Sequence, residues 1–274
     1  MKVSIITVTM NSERHLSDCI ESVRRQNYKN IEHIIVDGGS TDGTLEIIRR
    51  NSNHIASWIS ETDRGMYDAI NKGIKMASGD VIGILNSDDM FASADSVRSI
   101  VDCFENNKVD SVYGDLVYVD PLNTQKIIRY WKGVPFDRSR FRYGWMPAHP
   151  TFYIRRELIQ QYGLYENHYY TAADYEFMAR YLFLNKVSSC YLDVMLVKMR
   201  SGGLSNVTLK SRFRANRRDY LAMKRNRIPF PFIVSILKPL QKIPQFKSAH
   251  AKQYSTANGE ENFFRLPVTF FPAD

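Results

Sequence analysis

Cysteine is scarce in this 274-residue chain: Cys19, Cys103 and Cys190 lie far apart in apolar surroundings. An odd, scattered set of this kind excludes a disulfide framework or a zinc ribbon and fits reduced core side chains of a cytoplasmic protein. Long apolar runs are missing too. Nothing reaches the length of a membrane-crossing helix, and the opening Met-Lys-Val-Ser-Ile-Ile-Thr-Val-Thr lacks the long apolar stretch of a secretion signal. No glycine-rich loop ends in Gly-Lys-Ser/Thr, so a P-loop is a poor fit, and the absence of Gly-x-Gly-x-x-Gly argues against a dehydrogenase. Acid is nearly absent late in the chain, where Lys210 to Lys252 holds twelve Lys or Arg and one acid, Asp219. Within a net charge of +8, that imbalance suits nucleic acid or an anionic membrane surface, a solvated helix face being the plain alternative.

What is present is an alternation. Lys2 to Thr9, Ile31 to Val36 and Ile55 to Ile59 are short apolar, partly β-branched runs, each expected as a strand. Between them Leu16, Cys19, Ile20 and Val23 recur at helical spacing behind a cap at Asn11 or Ser12, and Leu45, Ile47 and Ile48 mark a second helix. Met66, Ile70, Ile74 and Ala77 mark a third, with Gly79 expected as its stop. A fourth strand starts at Val81. Strand and helix alternating four times predict an α/β fold with a mostly parallel sheet. In such sheets ligands bind beyond the carboxyl ends of the strands. Thr7 to Asn11, Asp37, Asp63 and Asn86 to Asp89 each follow a strand, so four polar clusters are expected on one rim.

The fourth strand is the most informative. Val81-Ile-Gly-Ile-Leu stops at Asn86-Ser-Asp-Asp, and adjacent carboxylates at the mouth of a core are tolerated if wet, capping a helix or facing a cation. An extended backbone puts Asn86 and Asp88 on one face, where both could reach a Mg²⁺ or Mn²⁺ ion. The competing reading makes Asp88 or Asp89 a cap for the next helix. Asp37 can accept from an imide N–H or ribose hydroxyls, with Gly38 and Gly39 allowing close backbone approach; alternatively it only builds a turn. Beyond about Asp110, Val109 to Val119 and Lys126 to Trp131 are expected as strands, and Arg156 to Tyr162 and Asp174 to Leu184 as helices. Trp131, Tyr143 and Trp145 are candidates for an aromatic binding platform, or for core packing.

Several of these motifs resemble family 2 glycosyltransferases of the GT-A fold. Ser-Ile-Ile-Thr-Val-Thr-Met-Asn and Val36-Asp37-Gly-Gly-Ser-Thr-Asp-Gly-Thr look like that family's opening. Glu61 to Gly73 is similar to its Glu-x-Asp-x-Gly-x-Tyr-Asp-Ala-x-Asn-Lys-Gly segment, and Gly79-Asp80, Leu85-Asn-Ser-Asp-Asp, His149-Pro150 and Ala173-Asp-Tyr-Glu follow in order. The resemblance covers roughly residues 2–205. It implies that Thr7, Thr9, Asn11, Asp37, Gly38, Asp63, Gly65, Asn71, Asn86 and Asp88 help hold a nucleotide. Asn86-Ser87-Asp88 becomes the counterpart of an Asp-x-Asp metal motif, with Asp88 on a divalent Mn²⁺ or Mg²⁺ and Asp89 as the fallback ligand. Asn86 departs from that motif and removes one charge. Asp174 is implied as the base that deprotonates the acceptor, with Glu176 or a plain helix N-terminal acid as the alternatives. His149 is implied on the acceptor side or at the metal, a structural histidine before Pro150 being the alternative, and Arg200 in a loop over the donor.

The expected organisation is a GT-A catalytic domain over 1–205, with a nucleotide-binding half (1–109) and an acceptor half (110–205). A basic helical extension (206–274) follows. The expected activity is inverting transfer from a UDP-, dTDP- or GDP-linked sugar to a glycan or lipid-linked acceptor in cell-surface polysaccharide synthesis. In the extension Phe232, Ile233, Ile236, Leu237, Leu240 and Ile243 can share a face, with a break at Pro239. That pattern favours residues 206–246 as a peripheral anchor on the inner membrane face, against packing on the catalytic domain or a second subunit. A non-catalytic nucleotide-sugar-binding subunit, a hydrolase using Asp63 and Asp88, and a nucleic-acid-binding protein are the competing functions; the last would leave the acidic rim without a purpose.

Overall fold

A computed structural model describes residues 1–202 and 209–238. The first half is built as the hydrophobic pattern requires. Strands β1 (Val3–Thr9), β2 (Ile31–Asp37), β3 (Ser57–Ser60) and β4 (Val81–Ile84) lie parallel in the order β3-β2-β1-β4. Helices α1 (Leu16–Arg24), α2 (Thr44–Arg50) and α3 (Met66–Met76) form the crossovers, and α4 (Ser96–Asn107) follows β4. Side chains alternate across β1. Val3 and Ile5 join Cys19 and Val23 of α1 and Ile100 and Phe104 of α4 on one side. Ile6 and Val8 meet Ile70 and Ile74 of α3 on the other. Contact there is close: a Cβ added at Gly73 would lie 2.4 Å from a methyl of Ile6, so α3 rests on β1 through a missing side chain.

Beyond β4 the sheet changes direction. Strand β5 is Met90–Phe91, β6 Ser111–Val119, β7 Ile127–Trp131, β8 Tyr153–Arg155 and β9 Ser189–Arg200. Strand β8 runs antiparallel to β4 and β6, β9 lies parallel to β6, and β5 and β7 add antiparallel edges, giving one mixed sheet of nine strands among the described residues. Strands β5, β8 and β9 have no counterpart in the sequence reading; β5 and β8, at two and three residues, are too short to show a period. Helices α5 (Arg156–Tyr162) and α6 (Ala173–Met178) cover the second half, α6 continuing into a wide π-type turn over 179–184.

Two local expectations change. Helix α1 starts at Leu16 rather than at an Asn11 or Ser12 cap, because Asn11 adopts a left-handed φ of 49° and its side-chain oxygen accepts from Thr41 N–H at 2.9 Å. Gly79 does not stop α3, whose C-cap is Ala77. It approaches β1, where its N–H donates to Ser4 Oγ at 2.9 Å and a Cβ would come within 2.6 Å of that oxygen.

The last helices, α7 (Leu209–Arg225) and α8 (Pro231–Leu237), dock on the acceptor half. Ala222, Met223, Ile228 and Val234 enter the core that contains α3 and α6. Buried Glu176 ties the junction, pairing with Arg180 at 3.0 Å and accepting from Asn226 Nδ2 at 3.3 Å. The expected boundary at 205/206, Pro239, Leu240 and Ile243 lie outside the described residues. No helix among the described residues is long and apolar enough to cross a membrane.

Candidate active site

Topology brings the polar clusters to one rim. The carboxyl ends of β1, β2, β3 and β4 share that rim by parallel pairing, as do those of β6 and β9 because antiparallel β8 separates them from β4. The same reversal places the start of β8, and His149 just before it, beside the end of β4. Thr9, Asp37, the Asn86–Asp89 loop, Tyr118, His149 and Arg200 therefore converge, although they span nearly two hundred positions.

On the nucleotide-side loops four of the expected residues already have partners within the protein. Thr7 is fully buried below the rim, sharing a 3.0 Å hydrogen bond with His33 Nε2. Asp37 is also 0% exposed. One carboxylate oxygen accepts from Ser40 N–H (2.9 Å), Gly39 N–H (3.1 Å) and Ser60 Oγ (2.6 Å), the other from Ser40 Oγ (2.5 Å). Its visible work is to fold the loop. Asn11 is spent on the same loop, and Asn71 on the far side of α3, where it exchanges two hydrogen bonds with the backbone of Tyr165 (2.8 and 3.0 Å). Thr9, paired with Asp37 across the strands, keeps a buried hydroxyl with no partner among the described residues. Gly38 lies directly against Asp63, whose half-buried carboxylate accepts from Gly65 N–H at 2.7 Å; Gly65, at φ 111°, starts α3.

The β4 loop holds the carboxylates. Asp88 is half-buried and Asp89 wholly buried. Burial, and then the neighbouring charge of Asp88, push the Asp89 carboxyl well above the usual range. Asn86 Nδ2 donates to Asp89 Oδ2 at 2.9 Å, while Asn86 Oδ1 and Asp89 Oδ1 are buried without partners among the described residues. Ser12 Oγ and Ser87 Oγ share a 2.9 Å bond that joins this loop to the one after β1. Arg200, at the end of β9, is buried and donates to the Asp88 carbonyl at 2.9 Å and to Asp18 Oδ2 of α1 at 2.5 Å. It braces the carboxylate loop from beneath.

Across the rim, Asp174 is half-buried in the first turn of α6. Its surroundings are aromatic: Tyr67 and Tyr165 stack at 5.5 Å, Tyr165 stacks on Phe177 at 4.1 Å, and His149 meets Tyr165 edge-on. The phenols of Tyr67 and Tyr165 are raised well above their ordinary range by burial and then by the charge of Asp174. His149 Nε2 shares a 2.9 Å hydrogen bond with Tyr165, and burial lowers its imidazole although Asp174 pulls the other way. Glu176 is locked under α7 and is not available as a base. Trp145 packs against Phe141 and Tyr113, Trp131 belongs to the other core cluster under Arg129, and Tyr143 is exposed, so the three form no common platform. Sequence reasoning missed Tyr118. Its phenol is raised first by burial, with Arg129 over its ring at 4.4 Å pulling the other way and the charges of Asp89 and Asp174 adding to the rise. Nothing in a β-strand tyrosine advertises that position. Tyr67 and Tyr165 were missed as well, although Tyr67 lies inside a quoted motif.

The sequence profile described as "Glycosyl transferase family 2" matches residues 4–163, more than half of the chain. The chain belongs to glycosyl transferase family 2. A glycosyltransferase of Mycobacterium bovis, named for PGL/p-HBAD biosynthesis, is 30% identical over 215 residues, covering 77% of this chain and 81% of that protein. An uncharacterized glycosyltransferase of Mycobacterium tuberculosis is 34% identical over 185 residues, 65% of this chain and 68% of that protein. Among solved structures, S. aureus TarS in complex with UDP-GlcNAc aligns at TM-score 0.63 and 18% identity, over 96% of this chain and 77% of that one. The mannosyltransferase PcManGT of Pyrobaculum calidifontis, in complex with GDP-Man and Mn²⁺, aligns at TM-score 0.62 and 18% identity, over 95% and 76%. At those identities the likeness establishes the fold, a GT-A-like α/β architecture with a mixed sheet. In this family 2 chain no group of three or more His, Cys, Asp or Glu is gathered as a metal cage among the described residues. The donors at the β4 loop nevertheless fit a hard cation that binds few protein ligands: the Asp88 carboxylate, and two orphaned oxygens carried by side chains hydrogen-bonded to each other.

Proposed function

We propose that this family 2 glycosyltransferase moves a hexosyl or N-acetylhexosaminyl group, with inversion, from a UDP-, dTDP- or GDP-linked sugar to a hydroxyl of a glycan or lipid-linked acceptor. Its place is cell-surface polysaccharide synthesis at the cytoplasmic face of the membrane. The observation that carries the reading is the meeting at one rim of the Asn86–Asp89 loop after β4 and of His149 before β8, whose partner Tyr165 stacks on Phe177 of α6, the helix that carries Asp174. A donor phosphate held at the carboxylate loop would present its anomeric carbon toward Asp174. UDP-GlcNAc and GDP-Man in the solved relatives support a nucleotide-sugar donor, and Mn²⁺ in one supports the cation.

Each residue has a distinct task. Asp88, with Asn86 Oδ1 and Asp89 Oδ1, would hold the divalent cation, and Arg200 keeps that loop in register. When bound, the cation supplies positive charge against the pyrophosphate as it leaves. Thr9 Oγ1, Asp63 and the backbone at Gly38 line the nucleoside side, with Asp37 and Asn11 shaping the loop. Asp174 accepts the acceptor hydroxyl's proton as oxygen attacks the sugar, a contribution of about 10²–10⁴-fold in rate. His149, kept neutral by burial, orients the acceptor edge through Tyr165.

Thermal unfolding in the presence of UDP, dTDP or GDP, with and without MnCl₂, tests the donor side. Stabilisation by one of them that grows with Mn²⁺ supports the reading. No stabilisation by any of them would remove it.

A further inference from the structure

The face that α7 and α8 turn outward is used neither by the core nor by the rim. Along α7, Arg214, Arg217, Lys224 and Arg225 are exposed with Leu221, and Arg218 is half-exposed beside them, an arrangement at three- and four-residue spacing on one helix side. The only acid on α7, Asp219, faces the other way and pairs with Lys238 at 2.6 Å above the Tyr175 ring. Arg227 is exposed at the turn, and the next ten residues, 228–237, carry no charge at all. Among them Phe230, Phe232, Ile233 and Ile236 are 53–76% exposed, while Val234 and Ile228 are sunk into the core.

Four large apolar side chains in water, next to a cationic stripe, are unfavourable for a free surface. The combination suits an interfacial helix: apolar groups enter the acyl boundary while Arg and Lys meet acidic headgroups. A groove of about 550 Å³ lies between the 167–172 turn and α7, lined by His168, Tyr169, Arg218, Leu221, Lys224 and Arg225. Glu166 neutralises part of it, pairing with Arg225 at 3.6 Å and His168 at 3.5 Å. The Arg218 guanidinium covers the exposed Tyr170 ring at 4.3 Å, an amphipathic pair of the kind favoured at headgroup depth.

We infer that this α7–α8 face seats the protein on an anionic lipid bilayer, with the groove receiving a phosphate headgroup. The inference rests on the proposed function only for its consequence. The 167–172 turn that walls the groove runs directly into α6 and Asp174, so seating there brings a membrane-borne hydroxyl to the acceptor side. Charge complementarity selects the bilayer over a second copy of this chain, whose matching face would be cationic as well.

The full-length chain is sedimented with phosphatidylcholine vesicles that contain phosphatidylglycerol, and with phosphatidylcholine vesicles alone. The expected result is binding to the anionic vesicles only. Phe232→Ser with Ile236→Ser, and separately Arg217→Glu with Lys224→Glu, are each expected to weaken it by roughly tenfold or more. Nucleoside-diphosphate stabilisation measured on the same variants should not move, which separates a failure here from a failure of the donor reading. A polarity-sensitive dye attached at Phe232→Cys reports the free face and should shift to the blue only when anionic vesicles are added. Absence of anionic-vesicle binding, unchanged binding by both double variants, or a dye already shielded without vesicles by the chain itself or by a second copy, would overturn the inference.

Discussion

Arg200 donates to the main-chain carbonyl of Asp88 at 2.9 Å and, through its other terminal nitrogen, to Asp18 of α1 at 2.5 Å. One planar fork thus ties the end of β9 and the first helix to the carboxylate loop after β4. Lysine keeps the charge but not the fork. Arg200→Lys is expected to lower kcat/KM by about 10–100-fold, the loss of one or two charge-assisted hydrogen bonds, and to weaken the Mn²⁺-dependent part of nucleotide stabilisation. Titration of UDP, dTDP or GDP with and without MnCl₂ reads that second effect.

Gly38 and Asp63 define a second close approach, since a Cβ at position 38 would sit 2.6 Å from Asp63 Oδ2. The backbone at 38 does not need a glycine φ, so the constraint is space alone. Gly38→Ala must therefore shift the Asp63 carboxylate, whose other oxygen accepts from Gly65. The expected outcome is a nucleotide affinity reduced by about tenfold, within the range of one lost hydrogen bond to a charged group, with a melting temperature close to that of the parent. Calorimetric binding and thermal unfolding of the same sample separate the two.

The centre of the sheet predicts the opposite pattern. Gly83 of β4 lies under the buried Tyr153 ring of β8, where a Cβ would fall 2.1 Å from the nearest ring carbon. Gly83→Ala overpacks this contact, and a cost of about 1–3 kcal/mol is expected. Urea denaturation measures it directly, and nucleotide affinity per folded molecule should be retained.

Acid stability follows from Glu32. Burial alone would raise its carboxyl, but bonds from Ser4 Oγ (2.6 Å), Ser78 N–H (2.8 Å) and Oγ (2.7 Å), and Lys2 Nζ (2.9 Å) outweigh it and hold the group down at about 2. A carboxyl whose folded value is depressed stabilises the fold above its unfolded value of about 4.5 and loses that contribution as pH falls toward about 2. Glu32→Gln is expected to cost about 1–3 kcal/mol near neutrality and to flatten the stability profile between those two pH values, as read by urea midpoints across the range.

Much of this was legible in the amino-acid order. The first four strands and their helices follow from apolar periodicity, and the rim follows from where polar residues interrupt it. The turn chemistry around Asp37 was visible, but its burial was not: whether a carboxylate faces a ligand or its own loop depends on Ser40 and on Ser60, 23 positions away. Thr7 alternates with Val8, and nothing local reports that its side of β1 is sealed by His33 and Cys19. Strand β8 is three residues long, yet it reverses the sheet and delivers His149 to the rim. Such placements arise from pairings across the chain, which no local period encodes.

Asp174 bears the chemical proposal. Asp174→Asn keeps the side chain's size and removes its ability to take a proton. Release of nucleoside diphosphate from the donor in the presence of acceptor should fall by about 10²–10⁴-fold, while donor affinity and Mn²⁺-dependent stabilisation stay at parental values. Parental turnover by Asp174→Asn, with the donor still bound, would contradict an acceptor base at this position and leave the chain a nucleotide-sugar transferase that deprotonates by another route, or none.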